Sequence, residues 1–461
     1  MVQDMTEGKP LKMILSFSIP LLIGNLFQQL YNMADSVIVG RMVGMNALAA
    51  LGATGAIFFL IIGSVMGLTT GFSIITAQRF GAGDEEGVRR SLAMSILLCI
   101  FFTVLLTAIS VLTARPLLSL MNTPADIFED AWLYIVIIYA GLGASMYYNL
   151  VANVLRALGD GKTPLYFLIF SSILNVVLDI YLIKQFHMGV AGAAVATVIA
   201  QLVSALGCTL FISRKFPILH LRTEHFRLDK KNALAHLHVG VPMAIQFAIT
   251  AIGVMVMQAA LNNFGSVAIA GFTAANKVET LVTQPFVAIG ITMATYCGQN
   301  RGARKMDRIR QGVRIALAIS FCATIFAALL NVFGGRFFTQ LFITDKNDLE
   351  NALYYAQQYL NIIAVFYVTL AVLYVFRNSL QGMGEAAVPV FGGFMELVAR
   401  VAVSIFLPLK LGYVGVCLAT PAAWIAADIP LLLRYVFKMK KEAPIHKKIK
   451  AQERNSIKQT K

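Results

Sequence analysis

Charge is what this 461-residue chain has least of: Asp, Glu, Lys and Arg together make up 13% of it, against about 25% in an ordinary soluble domain. Acids are scarcer than bases, 23 against 38, which leaves a formal net charge of +15. With 58% apolar residues and a mean hydropathy of +0.73, a soluble globular domain is excluded and a polytopic membrane protein is expected. Cysteine is scarce as well. Cys99, Cys208, Cys297, Cys322 and Cys417 are an odd number in apolar runs without metal-ligand or disulfide spacing, so they read as small buried hydrophobes. No HExxH spacing occurs among the histidines. Four of the six, His220, His225, His236 and His238, crowd one polar stretch, where interfacial solvation is expected rather than zinc. LGDGKTP ends like a phosphate-binding loop, yet Arg156 stands where the first glycine is required and an apolar helix follows, which excludes nucleotide binding. No nucleophile, base or metal constellation is apparent beside an interface, so the chain is not read as an enzyme.

What is there is a succession of long apolar runs. A window of about 20 residues, the length that crosses a 30 Å hydrocarbon core, places twelve helices. They fall near 13 to 39, 46 to 77, 91 to 112, 128 to 155, 164 to 184, 190 to 213, 236 to 262, 267 to 297, 312 to 334, 352 to 381, 387 to 408 and 413 to 437. The first run is too long for a cleavable signal and no small-residue cleavage site follows it, so it is expected to stay as the first span. Basic residues orient the bundle. With the N-terminus inside, inner loops collect Lys9, Lys12, Arg79, Arg89, Arg90, Arg156, Lys162, Arg214, Lys215 and Arg377 among many others, together with the tail from Arg434 to Lys461. Outer loops keep Arg41, Arg115, Lys184, Arg336, Lys346 and Lys410. Both termini are therefore expected to be cytoplasmic, and the same bias accounts for the net charge beside anionic lipid without any nucleic acid.

The chain also repeats itself. SIPLL at Ser18 returns as GVPMA at Gly240, GMNALAALGAT at Gly44 as GSVAIAGFTAA at Gly265, AQRFGAGDEEGVRR at Ala77 as GQNRGARKMDRIRQ at Gly298, and LRALGDGKTP at Leu155 as LQGMGEAAVP at Leu380. The spacing of about 221 to 225 residues predicts two parallel six-helix lobes, a recurring transporter plan in which the halves rock about a central cavity. The expected division is an N-lobe at 1–213, a cytoplasmic linker at 214–235, a C-lobe at 236–437 and a basic cytoplasmic tail at 438–461.

These segments, with LYNMADSVIVGRMVG in the first span, carry a resemblance over nearly the whole length. The chain resembles the multidrug and toxic compound extrusion (MATE) transporters, and within them the prokaryotic DinF-like branch. The resemblance implies an all-α protein of twelve transmembrane helices, V-shaped around a central cavity, in a prokaryotic cell membrane. It implies efflux of small amphipathic, often cationic compounds in exchange for inward H+ or Na+, with no cofactor. A monomer is expected. The alternative is a lipid-linked precursor flippase of the same superfamily architecture, for which a wider, more basic cavity is expected.

The intramembrane polar residues give a reading of their own. A carboxylate at mid-membrane depth costs roughly 2.5 to 3.5 kcal/mol, so Asp35 in the first span calls for a use. Gln28, Tyr31 and Asp35 share a face of that helix, with Asn32 beside it. Asn175 and Asp179 lie one turn apart in the fifth span; the fourth adds Tyr134, Asn149 and Asn153, and the sixth adds Thr197 and Gln201. Lipid offers such groups no partner, so they are expected to face inward and build a pocket around two acids. Two acids in a dry site cannot both ionise cheaply, which makes the pair a proton acceptor or, with Asn175 and Thr197, an oxygen cage for Na+. The resemblance implies the same coupled network of Asp35, Asn175, Asp179 and Thr197. Gln28, Tyr31, Tyr134, Asn149 and Asn153 are the expected substrate contacts, or else the glue between helices. Pro20 inside the first span is the expected hinge, with Pro242 its counterpart. In the second half, Glu396 and Arg400 are expected to pair, Lys277 and Glu279 to line the cavity, and Asp428 is left without an assigned role.

Overall fold

The computed structural model describes residues 3–343 and 348–459, without side chains beyond 442. Most of the expected basic tail at 438–461 thus lies outside the described side chains. Helix accounts for nearly all the rest. The first half contains α1 (Pro10–Met42), α2 (Met45–Gly81), α3 (Glu85–Leu120), α4 (Ala125–Ala140), α5 (Leu142–Ala157), α6 (Lys162–Phe186) and α7 (Gly189–Lys215). The second contains α8 (Lys230–Leu261), α9 (Gly265–Val282), α10 (Gln284–Gly302), α11 (Met306–Gln340), α12 (Leu349–Val365), α13 (Tyr367–Gly382), α14 (Ala387–Phe406), α15 (Pro408–Leu411), α16 (Tyr413–Cys417) and α17 (Ala419–Gln459). Helix suits a chain in hydrocarbon, because it satisfies its backbone groups within each segment.

Among the described residues, nine stretches are long and apolar enough to cross a membrane, and eleven when α4 with α5 and α12 with α13, bent by 50° and 56°, each count as one. One of the nine runs Lys230–Val282, 53 residues. At 1.5 Å per residue it would be about 80 Å long, far beyond one crossing. It turns at Gly265, φ 83°, which divides it in two and gives the twelve crossings expected.

The internal repeat is written into the backbone. Left-handed residues recur in register: Gly44 with Gly265, Gly83 with Arg304, Gly159 with Gly384, and Gly189 with Gly412. The bend at Gly141 likewise answers the one at Phe366. These pairs keep the 221 to 225 spacing. One departure has a visible cause. α2 is continuous, whereas its counterpart breaks into α9 and α10 at Thr283, just before Pro285, which has no N–H to give the preceding turn.

Packing sorts the chain into two units, the first Gln3 with Ser16–Phe80 and Asp84–Met255, the second Asp4–Leu15, Gly81–Gly83 and Val256–Lys461. In the first, α8 lies against α2 at backbone distance: a Cβ on Gly71 would sit 2.4 Å from the Gly240 Cα, and one on Gly67 would sit 2.6 Å from the Ala244 nitrogen. Small residues four apart are how membrane helices close on one another. Polar groups then hold the start of α8 to α3, with His236 Nε2 2.9 Å from Ser91 Oγ and Asn232 Nδ2 donating to the Arg90 carbonyl at 3.3 Å. His236 and His225 are both buried, so these two histidines are packed rather than solvated. Four cysteines are buried as expected, but Cys322 is exposed on α11, beside exposed Phe321, Ile325 and Phe326.

The repeated acid after α5 and α13 serves two ends. Asp160 accepts from the Lys162 and Thr163 N–H groups, both at 3.0 Å, and from the Thr163 hydroxyl at 2.7 Å. It caps α6 with the donors a phosphate would have needed. Glu385 instead binds Arg434 at 2.8 Å, and Lys438, on α17. Burial works to raise the Glu385 carboxyl, but the hydrogen bonds from Lys438 and Arg434 outweigh it and hold the group below the usual carboxylate range.

Candidate functional site

Two acids of the first unit, Asp35 and Asp179, meet. α1 brings Tyr31 and Asp35, α4 brings Tyr134, α6 brings Asn175 and Asp179, and α7 brings Thr197. The i, i+4 step places Asn175 and Asp179 on one stripe of α6, and both are buried, 1% and 0% exposed. Asn175 Nδ2 donates to Thr197 Oγ1 at 3.2 Å, and that hydroxyl donates to the Ala193 carbonyl at 3.0 Å. The Asp35 and Asp179 carboxyls lie close enough for each to feel the other's charge. Tyr31 sets its hydroxyl beside Thr197, and both Tyr31 and Tyr134 lie in the field of the two acids. An apolar shell surrounds this end of the unit, with Val39, Ala47, Ile57, Ile135, Ile138, Ala193 and Ala194 among its buried members.

The hydrogen-bond ledger of this cluster does not balance. Asp35 Oδ1, Asn175 Oδ1 and both carboxylate oxygens of Asp179 are buried without a donor. Carboxylate oxygens only accept, so two facing carboxylates cannot satisfy each other. A proton shared between them, or a cation among the four oxygens, would supply what is missing. Such a set could hold Na+ through Asp35, Asn175, Asp179 and the Thr197 hydroxyl, all hard oxygen donors. Among the described residues, no cluster of three or more His, Cys, Asp or Glu forms a metal site of the kind zinc uses.

The other expected contacts are placed differently. Gln28 Nε2 donates along α1 to Asn32 Oδ1 at 3.3 Å. Asn149 Nδ2 donates to the Ser145 carbonyl in its own helix at 2.8 Å. Asn153 reaches α2, donating to Thr69 Oγ1 at 3.2 Å and Thr70 Oγ1 at 3.3 Å, and accepts from Arg156 at 3.1 Å. Gln201 accepts from Ser145, a contact between α5 and α7 that the serine gave no reason to expect. Hydroxyls in apolar helices leave no mark in a sequence, since they can always bond their own backbone. Pro20 lies within α1, which is helical from Pro10 to Met42.

In the second unit, Glu396 accepts from Arg400 at 3.0 Å and also from Arg377 at 2.7 Å. The pairing of Glu396 with Arg400 is the expected one, whereas Arg377, expected in an inner loop, is 12% exposed on α13. Asp428 lies in the field of Arg377 and Glu396, its Oδ1 buried without a donor. Glu279 is buried and accepts from the Tyr359 hydroxyl at 2.7 Å. Lys277, two residues away, is exposed and lies 5.4 Å over the Phe342 ring, so the two do not share one environment.

Comparison with known proteins agrees with the fold. The MatE family model matches residues 20–181 and 242–406. The chain is 28% identical over 381 residues to the probable multidrug resistance protein YpnP of Bacillus subtilis, covering 83% of this chain and 84% of that protein. It is 27% identical over 437 residues to the probable multidrug resistance protein YoeA of the same organism, covering 92% and 93%. Among solved structures it is similar to an outward-facing conformation of a multidrug resistance MATE family transporter of the MOP superfamily. The TM-score there is 0.89, with 24% identity, 95% of this chain and 98% of that chain covered.

Proposed function

The chain belongs to the MatE family of membrane transporters, and from that premise we propose that it exports small amphipathic, often cationic organic compounds across the cell membrane in exchange for H+ or Na+. The observation that carries this reading is the pair of facing carboxylates, Asp35 and Asp179, buried with oxygens that lack donors. With a proton or Na+ between them the pair is satisfied and loses negative charge. With that ion gone it is a concentrated negative charge, which an organic cation relieves in its place. Ion and drug then weaken each other by one reciprocal free energy, and the gradient of one drives the other uphill. Tyr31, Tyr134 and Thr197 orient the acids and set the shape of the space beside them. The multidrug resistance names of the related Bacillus proteins support the substrate class, and the basic bias of one set of loops supports cytoplasmic termini.

The test is transport by the purified protein in vesicles, with a pH gradient and a Na+ gradient imposed separately and ethidium or norfloxacin followed by fluorescence. One of the two gradients is expected to drive drug movement at least about fivefold above the rate without a gradient, the lower end of an ordinary coupling energy. Drug movement indifferent to both gradients contradicts the exchange.

A further inference from the structure

The motif that opens the second repeat's turn, GQNRGARK, has a task that the ion site does not use. Gln299 and Asn300 are fully buried at the end of α10, and with Lys305 and Arg308 they form a cup that holds the chain's own N-terminal segment. The Gln299 side chain accepts from the Met5 N–H at 2.8 Å. Asn300 Nδ2 and Arg308 both donate to the Met5 carbonyl at 3.1 Å. Arg308 donates further to the carbonyls of Glu7 at 3.0 Å and Gly8 at 2.9 Å, and Lys305 Nζ to that of Thr6 at 3.0 Å. Arg308 is itself aimed by Asn300 Oδ1 at 3.1 Å. Met5 and Thr6 are buried, 0% and 5% exposed. Almost every bond goes to backbone, and most are charge-assisted.

The twin turn of the first repeat shows that the cup is specialised. Asp84 and Gly87 stand where Lys305 and Arg308 stand, one repeat earlier. There Asp84 accepts from the Gly87 N–H at 2.8 Å and from Arg79 at 3.2 Å, so the turn closes on itself. Both turns have the same left-handed residue, Gly83 and Arg304. The backbone is shared, and the cationic donors that reach the segment belong to the second copy alone.

The position of the held segment gives it a consequence. Asp4–Leu15 packs with the second unit, while α1 from Ser16 onward packs with the first. One helix is thus claimed by both units. When the units rearrange, as the exchange proposed above requires, the helix must bend or its held end must let go. We propose that the Gln299, Asn300, Lys305 and Arg308 cup is a latch for residues Met5 to Gly8 that opens and recloses in each transport cycle. The segment stays bonded in the state seen here and undocks in the opposite one. The latch rests on the export reading, and its test separates the two.

Hydrogen exchange by mass spectrometry on the full chain in vesicles follows the peptide containing Met5 to Gly8, at rest and with an ion gradient and ethidium, while drug movement is recorded in parallel. Exchange of that peptide is expected to rise about tenfold on energisation, as local opening becomes part of the cycle, and to return when the gradient is collapsed. Unchanged exchange while drug moves overturns the latch. Exchange that rises with the gradient while no drug moves upholds the latch and removes the export reading. Arg308→Gln, which keeps the length of the side chain but loses its fork, is expected to raise resting exchange of the peptide at least about fivefold. Parental exchange in that variant also overturns the proposal.

Discussion

Asp35→Asn is expected to stop gradient-driven drug movement, leaving less than about a tenth of the parental rate, because it removes the coupling free energy rather than the fold. The amide has nearly the shape of the acid and brings a donor of its own, which the orphaned oxygens of Asp179 can accept. The variant should therefore fold and bind ethidium as a protein that is permanently loaded: weakly, and without response to pH or Na+. Asp179→Asn should behave alike, since either change leaves one carboxylate that no longer needs an ion to relieve its neighbour. Vesicle transport under each gradient checks this, with thermal unfolding in detergent to show that the fold is intact. An Asp35→Asn protein that pumps like the parent under both gradients would take the ion site away from this pair.

Glu396→Gln should destabilise more than any change at the ion pair. Glu396 is 7% exposed and joins Arg377 and Arg400, 12% and 7% exposed, through one oxygen each. Neutralising it leaves two guanidinium groups held in a buried site around one neutral amide. Breaking a buried ion pair by removing one partner costs about 3 to 5 kcal/mol. That corresponds to a fall of about 6 to 20 °C in the unfolding midpoint, at about 2 to 4 °C per kcal/mol for a unit of this size. Asp428, whose Oδ1 has no donor, lies near enough to relieve part of the excess charge, so Glu396→Gln combined with Asp428→Asn should unfold lower still. Replacing Glu396, Arg377 and Arg400 together by apolar residues of similar volume should recover much of the loss. Scanning fluorimetry in detergent reads all three proteins. An unchanged midpoint in Glu396→Gln would mean that water reaches these arginines.

How much of this could be read beforehand follows the range of the physical signal. Apolar length is local, so the twelve crossings are legible, and α1, α6 and α7 lie within a few residues of the expected spans. The repeat was legible because corresponding turns need corresponding backbone: a left-handed position selects glycine again and again, as at Gly44 with Gly265 and Gly159 with Gly384. The meeting of Asp35 with Asp179 followed from one further step, that lipid offers an acid no partner. What stayed hidden depends on distant chain. The bends at Gly141 and Phe366 arise in apolar sequence that reads as continuous helix. Arg377 resembles a loop cation until Glu396 of the next helix is seen beside it. Asn153 shares the spacing of a pocket residue but turns to Thr69 and Thr70, 84 and 83 positions away. The cup for the N-terminal segment joins residues nearly 300 apart, and nothing in MTEG by itself announces a partner.

The mutual exclusion of ion and drug can be measured without any membrane. Ethidium is titrated into the detergent-purified protein in weakly buffered solution while released protons, or Na+ after preloading, are counted. The parent is predicted to release about one ion for each drug molecule bound, and Asp35→Asn to release none, as reciprocal linkage at the pair requires. Ethidium that binds the parent with the same affinity at every pH and Na+ concentration, and displaces nothing, would contradict the exchange at its root.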